Sequence, residues 1–144
     1  RMTNIQAAIG LAQFEKIDEL VERRRNNARL YNSLLKGIGG IKLPPEKEWA
    51  KNVYWMYSIL IENEFGMSRD EVMSRLEQAG IETRTFFIPM HQQPVFQDMK
   101  LFGEGSYPVA EELSSKGIYL PSGSGLTGAE IRYVATALHR LGGG

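Results

Sequence analysis

The chain has 144 residues, which is enough for one domain with a buried core. Its 17 basic and 17 acidic residues give a formal net charge of zero, so nothing in the charge indicates nucleic-acid or anionic-membrane partners. The sequence contains no cysteine, which excludes disulfide frameworks, thiolate catalysis and zinc–thiolate sites.

Residues 3 to about 36 predict one long helix. Thr3 and Gln6 have the spacing of a capping box, and apolar residues then recur at helical spacing until Gly37. Such a helix would be roughly 50 Å long, which is more than the width of a domain of this size. Because the helix begins so close to the first residue, and because that residue is Arg1 rather than Met, we expect the chain to be cut from a larger protein.

Short strands and helices are predicted to alternate after residue 37. The pattern indicates an extended piece at residues 41–43, strands at 55–61, 81 to about 85 and 118–120, and helices at 68–79, 94–99, 108–116 and 127–141. Ser68 with Glu71 and Thr127 with Glu130 have the spacing of capping boxes at the starts of two of these helices. The predicted fold is therefore α+β, with a small, mostly antiparallel three-stranded sheet covered by helices on one face. We expect residues 1–36 to form a connecting helix and residues 37–144 a small α+β domain.

The residues with the most chemical potential lie at positions 84–94. Arg84 can pair with a phosphate or carboxylate, and the imidazole of His91 can donate or accept a hydrogen bond. Phe86 and Phe87 can form a wall against a sugar or a base, and two prolines frame a presented loop. The alternative is that both phenylalanines belong to the core and that Arg84 and His91 only stabilise the loop. The residues alone leave these two interpretations open.

Other polar motifs favour structural roles. His91 and His139 lack ligand-spaced partners, so no metal site is predicted. The Gly/Ser segment at residues 122–127 is typical of a tight connection, and the arginines at residues 23–29 are typical of a solvated helix face with pairs such as Glu19–Arg23. No nucleophile–base set is recognisable, and no lysine has a setting that favours Schiff-base chemistry. The sequence therefore offers no catalytic residue.

Several segments resemble, in order, a known enzyme family. Residues 1–13 resemble the start of the C-terminal part of the DegT/DnrJ/EryC1/StrS family, which are pyridoxal-phosphate-dependent sugar-nucleotide aminotransferases. Residues 23–31, 85–94, 108–114 and 120–127 resemble later stretches of the same family. Residues 86–91 are most similar to the perosamine-synthetase group of 4-aminotransferases that act on dideoxy-sugars. The resemblance implies the small C-terminal domain of the aspartate aminotransferase fold (fold type I), an α/β fold in the whole enzyme.

The resemblance also implies a function. The whole enzyme would be a cytoplasmic homodimer that moves an amino group from glutamate, through pyridoxal phosphate, to a keto-sugar nucleotide in amino-sugar and polysaccharide biosynthesis. The family's cofactor lysine and the residues that hold the cofactor precede the segment matched here, so we expect no bound cofactor and no catalytic residue in this chain. The substrate-binding residues implied are Arg1, Arg84, Phe86, Phe87 and His91.

A second interpretation is a freestanding α+β module that binds a ligand or partner through the same loop and through the apolar face of the first helix. If the chain is cut from a larger protein, the first helix lacks its natural partner, and its apolar surface predicts self-association through Ile5, Ile9 and their neighbours.

Overall fold

The computed structural model describes residues 1–103 and 105–143, and it begins with two helices, α1 (Asn4–Phe14) and α2 (Ile17–Leu35). The single helix predicted over residues 3 to about 36 is therefore interrupted at residues 15–16. Lys16 leaves helical geometry at φ −111° and ψ 9°, and its N–H donates to the carbonyl of Gln13 at 3.1 Å, one residue short of the α-helical spacing. All residues of α1 are exposed, whereas α2 enters the core.

Four short strands form the sheet. They are β1 (Ile41–Lys42), β2 (Tyr57–Ile61), β3 (Arg84–Thr85) and β4 (Gly117–Leu120), in the spatial order β1-β2-β4-β3, and every neighbouring pair is antiparallel. The small antiparallel sheet is thus confirmed, with four strands in place of three. The extra strand is the predicted extended piece, which pairs with the end of β2 through Ile41 and Ile61.

Four further helices complete the described structure: α3 (Arg69–Gln78), α4 (Pro94–Asp98), α5 (Pro108–Lys116) and α6 (Gly128–Gly142). The capping boxes predicted at the starts of α1, α3 and α6 are all present, each with reciprocal bonds between side chain and backbone. Among the residues described, no helix is both long enough and apolar enough to span a membrane.

The sheet separates a core face from an open face. Ile59 on β2 aligns with Ile118 on β4, which aligns in turn with Thr85 on β3, and both isoleucines are fully buried. The same core contains large side chains from α2, α3 and α6, among them Tyr31, Leu76 and Leu138. Because successive side chains on a strand point to opposite faces, the residues between these positions lie on the other side of the sheet, the open face. This face is partly covered, since Leu60 on it is buried and Ser58 and Tyr119 are half-buried.

A pair of buried tyrosines fastens α2 to the sheet. The rings of Tyr31 and Tyr57 stack at a centroid distance of 4.6 Å. The Tyr31 hydroxyl donates to the carbonyl of Pro121 at 2.9 Å, and the Tyr57 hydroxyl donates to Asn32 Oδ1 at 2.7 Å. Burial raises the pKa of both phenols, so they remain protonated donors at neutral pH.

The arginines of α2 fall into two groups. Arg23 pairs with Glu19 at 2.6 Å on the solvated face, which confirms that prediction. Arg24, in contrast, donates to the carbonyl of Trp55 at 2.7 Å, and Arg25 binds Glu46 at 2.7 Å. The Arg25 guanidinium and the backbone N–H of Asn52 hold the pKa of the Glu46 carboxyl below its usual range. These half-buried contacts fix the loop between β1 and β2 against α2.

Candidate functional site

Three polar or aromatic side chains form a row across the open face of the sheet. Ser58 on β2 is directly opposite Tyr119 on β4, and Tyr119 is directly opposite Arg84 on β3. Directly opposed residues in an antiparallel sheet point to the same side and lie within contact distance. The register therefore brings Arg84, a residue singled out by the sequence, next to Tyr119.

The two phenylalanines that follow β3 gather around the same tyrosine. The ring of Phe86 stacks on Tyr119 with a centroid distance of 4.6 Å and an interplanar angle of 15°, and Phe87 lies tilted at 6.2 Å. Phe86 is half-buried, whereas Phe87 is 68% exposed. Neither belongs to the core, so the structure disagrees with the interpretation in which both were core residues.

Gly117 makes room for the ring of Phe86. A Cβ atom at this position would lie 2.2 Å from Cγ of Phe86 and 2.6 Å from the backbone oxygen of Leu113. The N–H of Phe86 donates to the carbonyl of Gly117 at 3.3 Å, which continues the β3–β4 pairing by one residue. The absence of a side chain at Gly117 thus allows the aromatic stack to sit flat against the strand.

Arg84 lies at the edge of a shallow cleft of about 270 Å³. The lining residues come from the residue before β2, from the start of β3 and the two residues before it, and from the end of β4 and the two residues after it: Met56, Glu82, Thr83, Arg84, Tyr119, Leu120, Pro121 and Ser122. The Arg84 side chain is 76% exposed, and its bond to Glu82 at 3.2 Å is an exposed ion pair of small energetic value. Its remaining guanidinium donors are therefore available to an anionic group.

His91 is placed differently from the other loop residues. Its Nε2 lies 2.9 Å from Oε1 of Glu111 on α5, and the same carboxylate oxygen accepts the N–H of Tyr107 at 3.2 Å. The imidazole ring is 4.7 Å from the ring of Tyr107, and its side chain is only 13% exposed. His91 therefore anchors the 3₁₀ turn Met90–Gln92 to the start of α5, and it lines a separate cleft with Phe96 and Phe102.

Arg1 stands apart from this surface. It precedes α1, is exposed, and makes no hydrogen bond or ion pair within the described residues. Of the five residues predicted to bind substrate, the structure groups Arg84, Phe86 and Phe87 around Tyr119, and leaves Arg1 and His91 elsewhere.

The lysines of this chain are ion-paired or exposed. Lys116 binds Glu62 at 2.6 Å and Glu112 at 2.9 Å, and these carboxylates raise its pKa, so its amine remains charged and poorly nucleophilic. The other six lysines are exposed on the surface. In addition, no metal-binding cluster of His, Asp or Glu occurs in the part of the chain that the structure describes.

Sequence reasoning missed Tyr119 and the carboxylate that holds His91. Tyr119 was counted only as part of a strand, although alternation along that strand puts it on the face opposite Ile118 and Leu120. That alternation was the available signal. The pairing of His91 with Glu111 joins a loop to a distant helix, and no local pattern announces it.

Comparison with known proteins gives consistent matches over nearly the whole chain. Residues 1–139 match the model of the DegT/DnrJ/EryC1/StrS aminotransferase family. GDP-perosamine synthase of Vibrio cholerae is 35% identical over 96% of this chain, and that of Caulobacter vibrioides is 36% identical over 98%. The chain spans 37% and 38% of the lengths of these two relatives.

Solved structures show the same fold. The structure of DesV from S. venezuelae in complex with a ketimine intermediate superposes with a TM-score of 0.89 and 29% identity, covering 99% of this chain and 37% of that one. DesI, solved in the presence of its TDP-sugar product, gives a TM-score of 0.87 at 26% identity, covering 98% of this chain and 36% of that one.

Proposed function

Because this chain belongs to the DegT/DnrJ/EryC1/StrS aminotransferase family, we propose that it is the C-terminal part of a pyridoxal-phosphate-dependent sugar-nucleotide aminotransferase. The proposed enzyme transfers an amino group from glutamate to a keto-sugar nucleotide in amino-sugar or polysaccharide biosynthesis. The observation that carries the proposal is that relatives named GDP-perosamine synthase match 96% and 98% of this chain.

The lysines indicate which part of the proposed enzyme holds the cofactor. Since two carboxylates hold Lys116 in its charged form and the other lysines are exposed, we assign the cofactor to the part of the enzyme outside this chain. The chain contributes to substrate binding instead. Residues 1–36 connect the two parts, and residues 37–144 form the small domain. The whole enzyme is proposed to be a cytoplasmic homodimer.

The open face of the sheet supports specific substrate-binding roles. Phe86 and Phe87 form an aromatic wall that suits the apolar side of a sugar ring. Arg84 offers guanidinium donors to a phosphate at the rim of the same cleft. We assign Arg1 to the nucleotide phosphates. His91, held by Glu111, shapes the sugar end of the pocket by fixing the loop.

The test uses the full-length enzyme, expressed from the gene together with its upstream coding sequence. With pyridoxal phosphate, glutamate and a GDP-linked keto-sugar, the enzyme is expected to release 2-oxoglutarate and an amino-sugar nucleotide in equal amounts. Arg84→Ala is expected to raise the KM for the keto-sugar nucleotide at least tenfold, because one charge-assisted contact to phosphate is lost. The KM for glutamate is expected to stay unchanged.

Arg75→Ala serves as the matched control, because Arg75 is an exposed arginine on α3, away from the open face. It is expected to leave both KM values unaltered. His91→Ala tests the positioning role, and unchanged turnover and sugar-nucleotide affinity in that variant would remove His91 from the site. Absence of any amino transfer by the wild-type enzyme would refute the proposed function itself.

A further inference from the structure

Tyr119 occupies the centre of the row on the open face. It is flanked by Ser58 on one side and Arg84 on the other, and the ring of Phe86 covers one side of its own ring. Ser58 and Arg84 are polar, and Phe86 lies in the loop after β3. Tyr119 is therefore the aromatic residue of this group that belongs to a strand.

The position of the tyrosine ring is set by packing. Its hydroxyl has no hydrogen-bond partner among residues 1–103 and 105–143, so that group does not fix the ring. Instead, the ring is fixed by Phe86, which is itself seated on Gly117. A rigid aromatic surface that loses little conformational freedom on binding is a favourable contact for a ring-shaped ligand.

The cleft in front of Tyr119 is suited to one ring. Its volume of about 270 Å³ lies below the roughly 300–1,000 Å³ typical of pockets for drug-sized ligands. A cleft of this size is better matched to one ring of a nucleotide sugar than to the whole molecule. Arg84 stands at the rim, where it can meet a phosphate attached to that ring.

We propose that Tyr119 is a specificity-determining residue of the enzyme, and that its ring packs against the pyranose of the keto-sugar nucleotide. This inference rests on the proposed function. The inference adds Tyr119 on β4 to the proposed substrate-binding residues, so that Tyr119, Arg84 and Phe86 form one surface. The contact is made to the sugar acceptor and not to glutamate, which lacks a ring to pack on an aromatic face.

The experiment compares Tyr119→Ala and Tyr119→Phe in the full-length enzyme by steady-state kinetics with each substrate varied in turn. Tyr119→Ala is expected to raise the KM for the keto-sugar nucleotide at least tenfold, with kcat within threefold of wild type. Tyr119→Phe keeps the ring and is expected to stay within threefold in both constants. The KM for glutamate is expected to remain unchanged in both variants.

Tyr133→Ala is the matched control, because Tyr133 is an exposed tyrosine on α6, which packs on the opposite side of the sheet. It is expected to behave as wild type. If Tyr119→Ala does not fold, as judged by circular dichroism, Tyr119→Leu carries the same test, since leucine keeps apolar bulk without a flat face.

The outcomes separate the two proposals. A wild-type enzyme that transfers amino groups, together with Tyr119 variants whose KM for the sugar nucleotide lies within twofold of it, overturns the role of Tyr119 alone. A change in the KM for glutamate only also overturns it. A wild-type enzyme without any transfer to keto-sugar nucleotides overturns the proposed function and this inference with it.

Discussion

Tyr31 and Tyr133 each donate a hydroxyl hydrogen bond to a backbone carbonyl across 2.9 Å, but their surroundings differ. Tyr31 is fully buried and reaches Pro121, whereas Tyr133 is 57% exposed and reaches Ala79. Water replaces the hydrogen bond of an exposed side chain more readily than that of a buried side chain. Tyr31 and Tyr133 therefore show how burial changes the contribution of a hydroxyl hydrogen bond to stability at the same donor–acceptor distance.

Tyr31→Phe is expected to lower the free energy of unfolding by about 0.5–1.5 kcal/mol, because the hydrogen bond between the buried Tyr31 side chain and the half-buried Pro121 is lost. Tyr133→Phe is expected to lower it by about 0.5 kcal/mol or less. Urea denaturation followed by circular dichroism measures both values. Equal losses in the two variants would show that burial of the Tyr31 hydroxyl is not what stabilises this contact.

The helices α1 and α6 start with the same capping box but differ in what they bury. Thr3 caps α1, in which no residue is buried, and Thr127 caps α6, which places Ile131 and Leu138 in the core. A cap affects global stability only if unfolding its helix also unfolds the core. The same motif should therefore have different energetic consequences in the two places.

Thr127→Ala is expected to reduce the free energy of unfolding by about 1 kcal/mol, the usual cost of losing a threonine cap. Thr3→Ala is expected to leave it unchanged and to reduce only the helical signal of α1. Denaturation curves give the first quantity, and amide hydrogen exchange of residues 4–14 gives the second. A loss of global stability on Thr3→Ala as large as that on Thr127→Ala would contradict the independence of α1 from the core.

Helix starts could be predicted because their signals lie within four residues. All three capping boxes were found from sequence. The break at residues 15–16 contains neither proline nor glycine, and its sign in the sequence is the change from small apolar residues before it to charged residues after it, which predicts at most a mild bend. The strand status of residues 41–42 depends on pairing with the distant β2, which is a tertiary event that a local pattern does not encode.

Only part of the candidate site could likewise be predicted from the sequence. Arg84, Phe86 and Phe87 were found because their chemistry is concentrated in one short segment. Tyr119 was missed because its importance arises from register, which places it beside Arg84 on a neighbouring strand. The contact between His91 and Glu111 was also missed, since Glu111 lies on α5, far from His91 in the sequence.

At the scale of the whole molecule, apolar surface is distributed unequally. The core brings together helices α2, α3 and α6 and one face of the sheet, whereas α1 leaves its apolar residues in solvent. Ile5 is 74% exposed and Ile9 is 62% exposed on the same side of the helix, one turn apart. Contiguous exposed apolar side chains of this kind favour association.

The chain is expected to self-associate as its concentration rises, and the double substitution Ile5→Lys and Ile9→Lys is expected to suppress the association, because two charges would have to be desolvated in the contact. Light scattering over a concentration series measures the effect. Val109→Lys is the control, since Val109 is 69% exposed but lies on α5. A wild-type chain that stays monomeric at millimolar concentration would contradict the expectation.

The alternation along β4 has a consequence for how this domain can change length. Ile118 fills the core and Tyr119 faces the cleft, so neighbouring positions serve opposite sides of the sheet. Inserting a single residue before Tyr119 would turn the tyrosine inward and expose an aliphatic side chain to solvent, whereas inserting two would restore the original order. An insertion in β4 therefore keeps each downstream side chain on its own face of the sheet only if it has an even number of residues. Residues 122–127 form a loop, so an insertion there is not restricted in this way.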